Sequence, residues 1–291
     1  MHFALGPTEL ALLRRAAPFV SELTGAEMLM AAFQTEPSAI ARILPRPLRP
    51  TSQPIGFAFV ARYPQTNFGS VYHEGALFVQ ARFGSEVGLY CLAMPVTDEM
   101  AMVYGRERYG YPKKMAESIS LEDTGSHVVG RVVRKGAEIL RIEFEPNAKA
   151  DPGDPGIFFN KAVDSDGRPC WEAVAFLFKF FPSPDGKYFD YLPRLVRHPT
   201  LFRPRADLRK GVGRVVLTST ACDQLGELPV GSVIGCMHGT WDNTMLPGRV
   251  MRRVWNVWRF LPHAFFNTDF ASAYLASTGG QESPPVEPAA R

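Results

Sequence analysis

Apolar and polar residues alternate with a period of two along most of this chain, and helical periodicity is confined to short stretches. Pro54 to Tyr63 carries no charge until Arg62, which predicts a strand covered on both faces. Val71 to Phe83 and Glu86 to Val96 predict two strands joined at Gly84-Ser85. On the first, Tyr72, Glu74, Ala76, Phe78 and Gln80 share one face, while Val71, His73, Gly75, Leu77 and Val79 share the other. Glu74 is thereby placed among aromatic and small residues. Ser126 to Arg134 and Ala137 to Glu145 form a hairpin about Lys135-Gly136; its second arm alternates Leu140, Ile142 and Phe144 with Arg141, Glu143 and Glu145. Trp171 to Phe181 and Tyr188 to Arg197 predict another, turned by Pro184-Asp185-Gly186. Glu27 to Thr35, Gly213 to Ala221 and Gly231 to Trp241 complete the expected strands.

Helical signals are few. Pro7 to Ala17 places Leu10, Leu12, Leu13 and Ala16 away from Arg14-Arg15, between a Thr8 cap and Pro18. Glu36 to Leu44 starts at Pro37 and stops before Pro45. A short amphipathic run, Thr97 to Arg106, leads to an extended one, Lys113 to Leu121, with Pro112 at the junction. Asn147 to Pro169 reads as a long surface loop, Arg197 to Arg214 as a basic loop or subunit edge, and Ser277 to Arg291 as a disordered tail. No crossover is long enough for parallel βαβ units, so the pattern predicts a mainly antiparallel β protein.

Composition narrows the function classes. With 291 residues and 46% hydrophobic content, the chain can bury a large core as one domain or two. A formal charge of +3 from 32 basic and 29 acidic residues gives no nucleic-acid footprint. Cys91, Cys170, Cys222 and Cys236 lack a C-x-x-C pair and read as reduced structural residues. With no signal peptide and no long apolar run, the expectation is a cytoplasmic protein without membrane contact. The six histidines lack a close-spaced ligand set, and no phosphate loop, dinucleotide fingerprint or nucleophile elbow is present, so neither metal nor cofactor is expected. His238 is left as a structural residue or one that reaches a pocket.

The remaining chemistry lies in Gly105-Arg106-Glu107-Arg108-Tyr109-Gly110-Tyr111-Pro112-Lys113-Lys114-Met115. Tyr109, Tyr111, Pro112 and Met115 suit the walls of an apolar pocket better than the flanks of two solvated ammonium groups. A free lysine amine attacks a ketone to form an imine, whose protonated form draws electrons from the neighbouring C–C bond. With a pKa of ~10.4, only about 0.04% of an ordinary lysine is free near neutral pH. Burial can move that value by ~3–5 units, whereas a like charge ~6–7 Å away supplies at most ~2. Consecutive strand residues point to opposite faces, so Lys113 and Lys114 should splay apart, leaving desolvation as the larger influence.

Gly-Arg-Glu followed after a short spacer by Tyr-Pro-Lys-Lys resembles the signature of the acetoacetate decarboxylase family. Tyr72-His73-Glu74 is similar to its Tyr-x-Glu. Thr35-Glu36-Pro37 with Pro45-Arg46-Pro47-Leu48, Phe178-Lys179-Phe180-Phe181-Pro182 and Leu228-Pro229-Val230 resemble further segments in family order, across about residues 26–250. The resemblance implies one domain over 1–276, folded as a cone-like closed antiparallel barrel with a few short peripheral helices. It implies Lys113 as the imine-forming nucleophile, Lys114 as its electrostatic and positional neighbour, and Glu74 as the proton carrier. Tyr72, Tyr111, Phe57, Phe59 and Met115 are the expected substrate contacts. The implied activity is cofactor-independent decarboxylation of a β-keto acid. The alternatives are aldol condensation and dehydration of pyruvate through the same imine, or a barrel that binds a small molecule without catalysis. Two family features are missing: the arginine preceding the first core strand, where Thr24-Gly25-Ala26-Glu27 stands, and a second glutamate on Pro54 to Tyr63. An apolar or bulky keto acid would suit Phe57 and Phe59.

Val254, Trp255, Val257, Trp258, Phe260, Leu261, Phe265 and Phe266 crowd more aromatic surface into a short run than one helix face can cover. At least a homodimer is expected, in keeping with the family's homo-oligomers. Truncation after Arg249 should lower the oligomeric mass in sedimentation, and a full-length chain that is monomeric at micromolar concentration would contradict this.

Overall fold

The computed structural model describes residues 4–16, 19–146, 159–206, 208–264 and 268–277. The strands are β1 Ser21–Gln34, β2 Ile55–Tyr63, β3 Tyr72–Phe83, β4 Glu86–Val96, β5 Lys113–Met115, β6 Ser118–Asp123 and β7 Val128–Arg134. They continue with β8 Ala137–Pro146, β9 Asn160–Val163, β10 Pro169–Lys179, β11 Arg194–Pro204, β12 Arg209–Leu217, β13 Val233–Met245 and β14 Arg249–Arg253. Two-residue strands lie at Arg49–Pro50 and Gln65–Thr66. The α-helices are α1 Pro7–Ala16, α2 Pro37–Ile43, α3 Glu99–Tyr104, α4 Val257–Phe260 and α5 Phe270–Ser277.

Seven strands close a barrel in the order β11-β10-β4-β3-β2-β1-β13, with β13 returning to β11 from Thr200↔Met245 to Pro204↔Trp241. Pairing is antiparallel except at two short seams. β4 runs parallel to β10 only at Leu89↔Ala175 and Tyr90↔Phe176, then parallel to β5 from Met94↔Lys113 to Val96↔Met115. The sheet continues from β13 through β12, β8, β7 and β6, and this outer layer lies against β2 and β3.

Strand alternation sorts the residues into two cores. Phe57, Phe59, Ala61 and Tyr63 of β2 join Tyr72, Ala76 and Phe78 of β3 inside the barrel. Ala58, Val60, Leu77 and Val79 face outward, against Val128, Val132, Leu140, Ile142 and Phe144. Each fully buried Val, Leu or Phe contributes ~1.5–3 kcal/mol relative to exposure. A wall buried on both faces explains why β2 reads as an almost uncharged run. α2 adds Ala39 and Ile40 to the outer core.

Several sequence expectations need correction. β1 starts at Ser21, well before the expected Glu27, because the strand absorbs Gly25 (φ 68) in a bulge between Leu23 and Ala26 instead of ending there. The Pro184-Asp185-Gly186 turn forms, with Gly186 N–H donating to Ser183 O at 2.9 Å. It lies in the connection between β10 and β11, which pair antiparallel from Trp171↔Phe202 to Lys179↔Arg194, but β11 begins only at Arg194, not at Tyr188, and extends to Pro204. The supposed basic loop is therefore largely strand. Within it Arg197 is partnered with Glu86 at 2.6 Å and Arg205 with Asp242 at 2.8 Å. Lys113 to Leu121 breaks into β5 and β6 at Ala116-Glu117. Within the expected loop Asn147 to Pro169, Asn160–Val163 pairs with β10, and 147–158 lie outside the described residues. The expected tail begins inside α5, which ends at Ser277; 278–291 lie outside the described residues. In the C-terminal segment Phe260 is buried, while Trp255 and Trp258 are 73% and 66% exposed. No helix among the described residues is long and apolar enough to cross a membrane.

The outer layer meets the barrel wall without spare room. A Cβ on Gly130 would stand 2.7 Å from Val60 Cβ, a rigid β-branched neighbour. Gly130→Ala should lower stability by ~1–3 kcal/mol, seen as a lower urea midpoint at unchanged slope. An unchanged midpoint would contradict this packing.

Candidate active site

The active-site segment is built by a change of helix pitch. α3 is capped by Asp98, whose carboxylate accepts from Ala101 N–H at 2.8 Å. The helix widens into a π-turn over Gly105–Tyr109 and ends at Gly110 (φ 90), whose N–H donates to Gly105 O and Arg106 O at 3.1 and 3.0 Å. A Cβ at Gly110 would lie 2.6 Å from Phe178 O, so only glycine lets the chain cross β10 here. The crossing delivers Tyr111-Pro112-Lys113 to the place where β4 departs from β10 and fills the opening in the barrel wall.

Alternation then divides the lysines. Lys113 points inward, is 4% exposed, and its Nζ lies 2.5 Å from Glu74 Oε2. Glu74, 5% exposed, comes from the inner face of β3, as expected. The Lys113 stem lies on Gly105, where a Cβ would come within 2.7 Å of Lys113 Cε. The ring centroids of Tyr72 and Tyr111 stand 5.6 and 5.8 Å from Nζ, favourable positions for a cation. These groups line a chamber of about 70 Å³, completed by Phe57, Phe59, Phe78, Phe159, Phe202, Leu89 and several methionines. Lys113 is the one cation and Glu74 the one carboxylate on its wall among the described residues.

Burial pushes the hydroxyls of Tyr63, Tyr72 and Tyr111 well above the usual phenol range, and the Glu74 carboxylate acts in the same direction. They therefore stay protonated and serve as hydrogen-bond donors. Tyr111 Oη lies 2.8 Å from His198 Nδ1. Burial drives His198 down to about 3, so its neutral ring accepts the Tyr111 proton at Nδ1.

Lys114 points the other way. Its Nζ donates to Cys222 O at 2.6 Å and pairs with Asp223 and Asp269 at 3.3 and 3.1 Å. Arg134 shares both carboxylates, each at 2.9 Å, and donates to Met115 O. The second lysine thus anchors β5 from outside the barrel, splayed away from Lys113 as strand alternation predicts. Met115 needs correction. It is 41% exposed, because β5 is three residues long and Met115 pairs with the last residue of β4, beyond the wall. It borders a surface recess with Lys114 and Asp269. A separate recess, about 290 Å³, lies outside β4 beside Pro112 and Lys114, and holds neither Lys113 nor Glu74.

Sequence reasoning missed Tyr63, Thr200, Asn243 and the Arg134–Asp223–Asp269 anchor. Tyr63 was within reach, since it continues the Phe57, Phe59, Ala61 parity. The anchor joins residues far apart in the chain and leaves no local signal. His238 is held away from the chamber, between Arg209 and Glu27.

Two predictions follow from this geometry. Lys114→Met should destabilise the fold by ~1–3 kcal/mol by leaving buried Asp223 with one fewer partner, yet leave the chamber intact. Thermal melting would show the loss, and an unchanged melt would contradict the anchor. His198 is protonated more readily in the unfolded chain (pKa ~6.5) than in the fold. Its contribution to stability is complete above pH ~6.5 and is lost as pH falls toward about 3. His198→Gln should flatten this part of the stability-against-pH curve by up to ~1.4 kcal/mol per pH unit, and parallel curves would contradict it.

The comparisons agree with this architecture. A family profile described as acetoacetate decarboxylase (ADC) matches residues 6–254. The acetoacetate decarboxylase of Burkholderia cenocepacia is 32% identical over 226 residues, covering 77% of this chain and 85% of its own. The crystal structure of acetoacetate decarboxylase from Legionella pneumophila superposes with a TM-score of 0.67 at 20% identity, covering 80% of this chain and 87% of that one. The enduracididine biosynthesis enzyme MppR, solved with pyruvate, gives 0.61 at 18%, covering 80% and 90%. With the barrel, the paired lysines and the inward Glu74 in place, this chain belongs to the acetoacetate decarboxylase family.

Proposed function

We propose that the chain is a cofactor-independent lyase that decarboxylates a β-keto acid through an imine on Lys113. The observation that carries this reading is the pair Lys113–Glu74, 2.5 Å apart, enclosed in an aromatic chamber. A single proton transfer across that contact yields a neutral amine and a carboxylic acid. The amine attacks the ketone carbon, and the carbinolamine loses water as Glu74 protonates the departing hydroxyl. The protonated imine accepts the electron pair of the bond to the carboxylate, releasing carbon dioxide and leaving an enamine. The enamine carbon then takes a proton that Glu74 regains from water, and hydrolysis releases the ketone and restores Lys113. Glu74, beside the nitrogen, is placed to handle each proton. An apolar wall favours the step, because the substrate carboxylate loses its charge as it departs.

The runner-up is aldol condensation and dehydration of pyruvate through the same imine. The likeness to MppR supports it at the level of fold alone. Against it stands the chamber wall, which offers no guanidinium among the described residues to hold a carboxylate through repeated steps. Carbon dioxide and ketone released from a panel of β-keto acids are expected, with turnover abolished in Lys113→Ala and lowered ~10²–10⁴-fold in Glu74→Gln. A condensed, dehydrated product from pyruvate and an aldehyde, without carbon dioxide, would favour the runner-up. Turnover that survives Lys113→Ala would overturn both.

A further inference from the structure

We infer that Phe159 sets the length of the keto compound that Lys113 can hold, because its ring stops the far end of the chamber. This rests on the imine reading above. Phe159 belongs to no strand of the barrel. It immediately precedes β9, which pairs with β10 from Asn160↔Glu172 to Val163↔Pro169. β11 takes one edge of β10 from Trp171 to Lys179, so β9 shares the other edge with β4, which pairs there at Leu89↔Ala175 and Tyr90↔Phe176. Phe159 falls in the gap between β9 and β4. One further step of the β9 register sets it beside Ala173, and Ala173 and Ala175 are small residues on the chamber wall. The Phe159 ring takes up the space they leave. It is 2% exposed, and its centroid lies 6.1 Å from that of Phe57, edge-on, and 5.2 Å from that of Phe202. All three rings line the chamber.

The reacting amine enters at the other end. Lys113 pairs with Met94 of β4, whereas the contact of β4 with β10 starts at Leu89, five residues back and roughly 17 Å away at ~3.3 Å per residue. Met94 and Leu89 both line the chamber. Glu74 pairs with Val96, beyond Met94, so the acid stands behind the amine and the open length runs toward Leu89 and Phe159. A ketone joined to Nζ extends its longer substituent that way. The room is limited: the chamber holds about 70 Å³, and a cavity of ~150 Å³ is the size that admits benzene. The wall therefore favours an apolar substituent while the Phe159 ring excludes a bulky one, which narrows the expectation drawn from Phe57 and Phe59. Truncating Phe159 to alanine adds the space of one phenyl ring and cuts no barrel strand.

The test uses 2-butanone and 4-phenyl-2-butanone, which differ by one phenyl ring, each trapped on the full-length protein with borohydride and read by mass at the peptide carrying Lys113. In the wild type the concentration giving half-maximal adduct should be at least tenfold higher for the phenyl ketone. Phe159→Ala should reverse that order, and Phe159→Leu should move the ratio the same way by at least threefold. A purely structural role would alter trapping of both ketones together and leave their ratio in place. The wild-type ratio and the leucine variant decide the matter even where the alanine variant fails to fold. Equal trapping of both ketones by the wild type, or a ratio that no Phe159 substitution moves, would overturn the inference and leave the imine reading standing. The absence of an adduct from either ketone would overturn both.

Discussion

An ammonium group enclosed by aromatic rings is tolerable because a carboxylate stands 2.5 Å away, and the rest of the fold serves to keep that pair enclosed. Breaking a buried pair by removing one member typically costs ~3–5 kcal/mol, because the other charge is stranded. Glu74 is fixed near the start of β3, paired with Ala61 of β2 and Val96 of β4. Lys113 arrives on a three-residue strand and needs more support. That support comes from the π-turn and Gly105 inside, and from Lys114, Arg134, Asp223 and Asp269 outside. Two adjacent lysines thus divide the work: one is a buried reactive amine, and the other anchors the strand that carries it.

The barrel seam is where function enters. β4 and β10 pair at only two positions before they separate, and Tyr111-Pro112-Lys113 fills the opening. A closed antiparallel wall would have buried its backbone and offered no place for a strand end bearing an amine. The parallel seam, unusual in an otherwise antiparallel barrel, accommodates one.

Much of this was legible in the sequence, because period-two alternation is a local property. It placed Glu74 with Tyr72 and Phe78, predicted both faces of β2 to be covered, and separated Lys113 from Lys114. It failed where local signals conflicted with tertiary pairing. Gly25 looked like a strand end, but a bulge retains it within β1. Arg197 of β11 and Arg209 of β12 looked like parts of a solvated loop, but Glu86 and Asp123 partner them. Met115 shares the parity of Lys113 yet lies past the end of the wall.

The central claim is that the enclosed Lys113, and not its neighbour, forms the covalent link to a ketone. The most direct measurement is a crystal structure of the protein after borohydride reduction in the presence of a trapped ketone. Density continuous with Lys113 Nζ, inside the chamber and within hydrogen-bond reach of Glu74, is the predicted result. Density attached to Lys114 or to a surface lysine, with the Lys113–Glu74 pair undisturbed, would contradict the account.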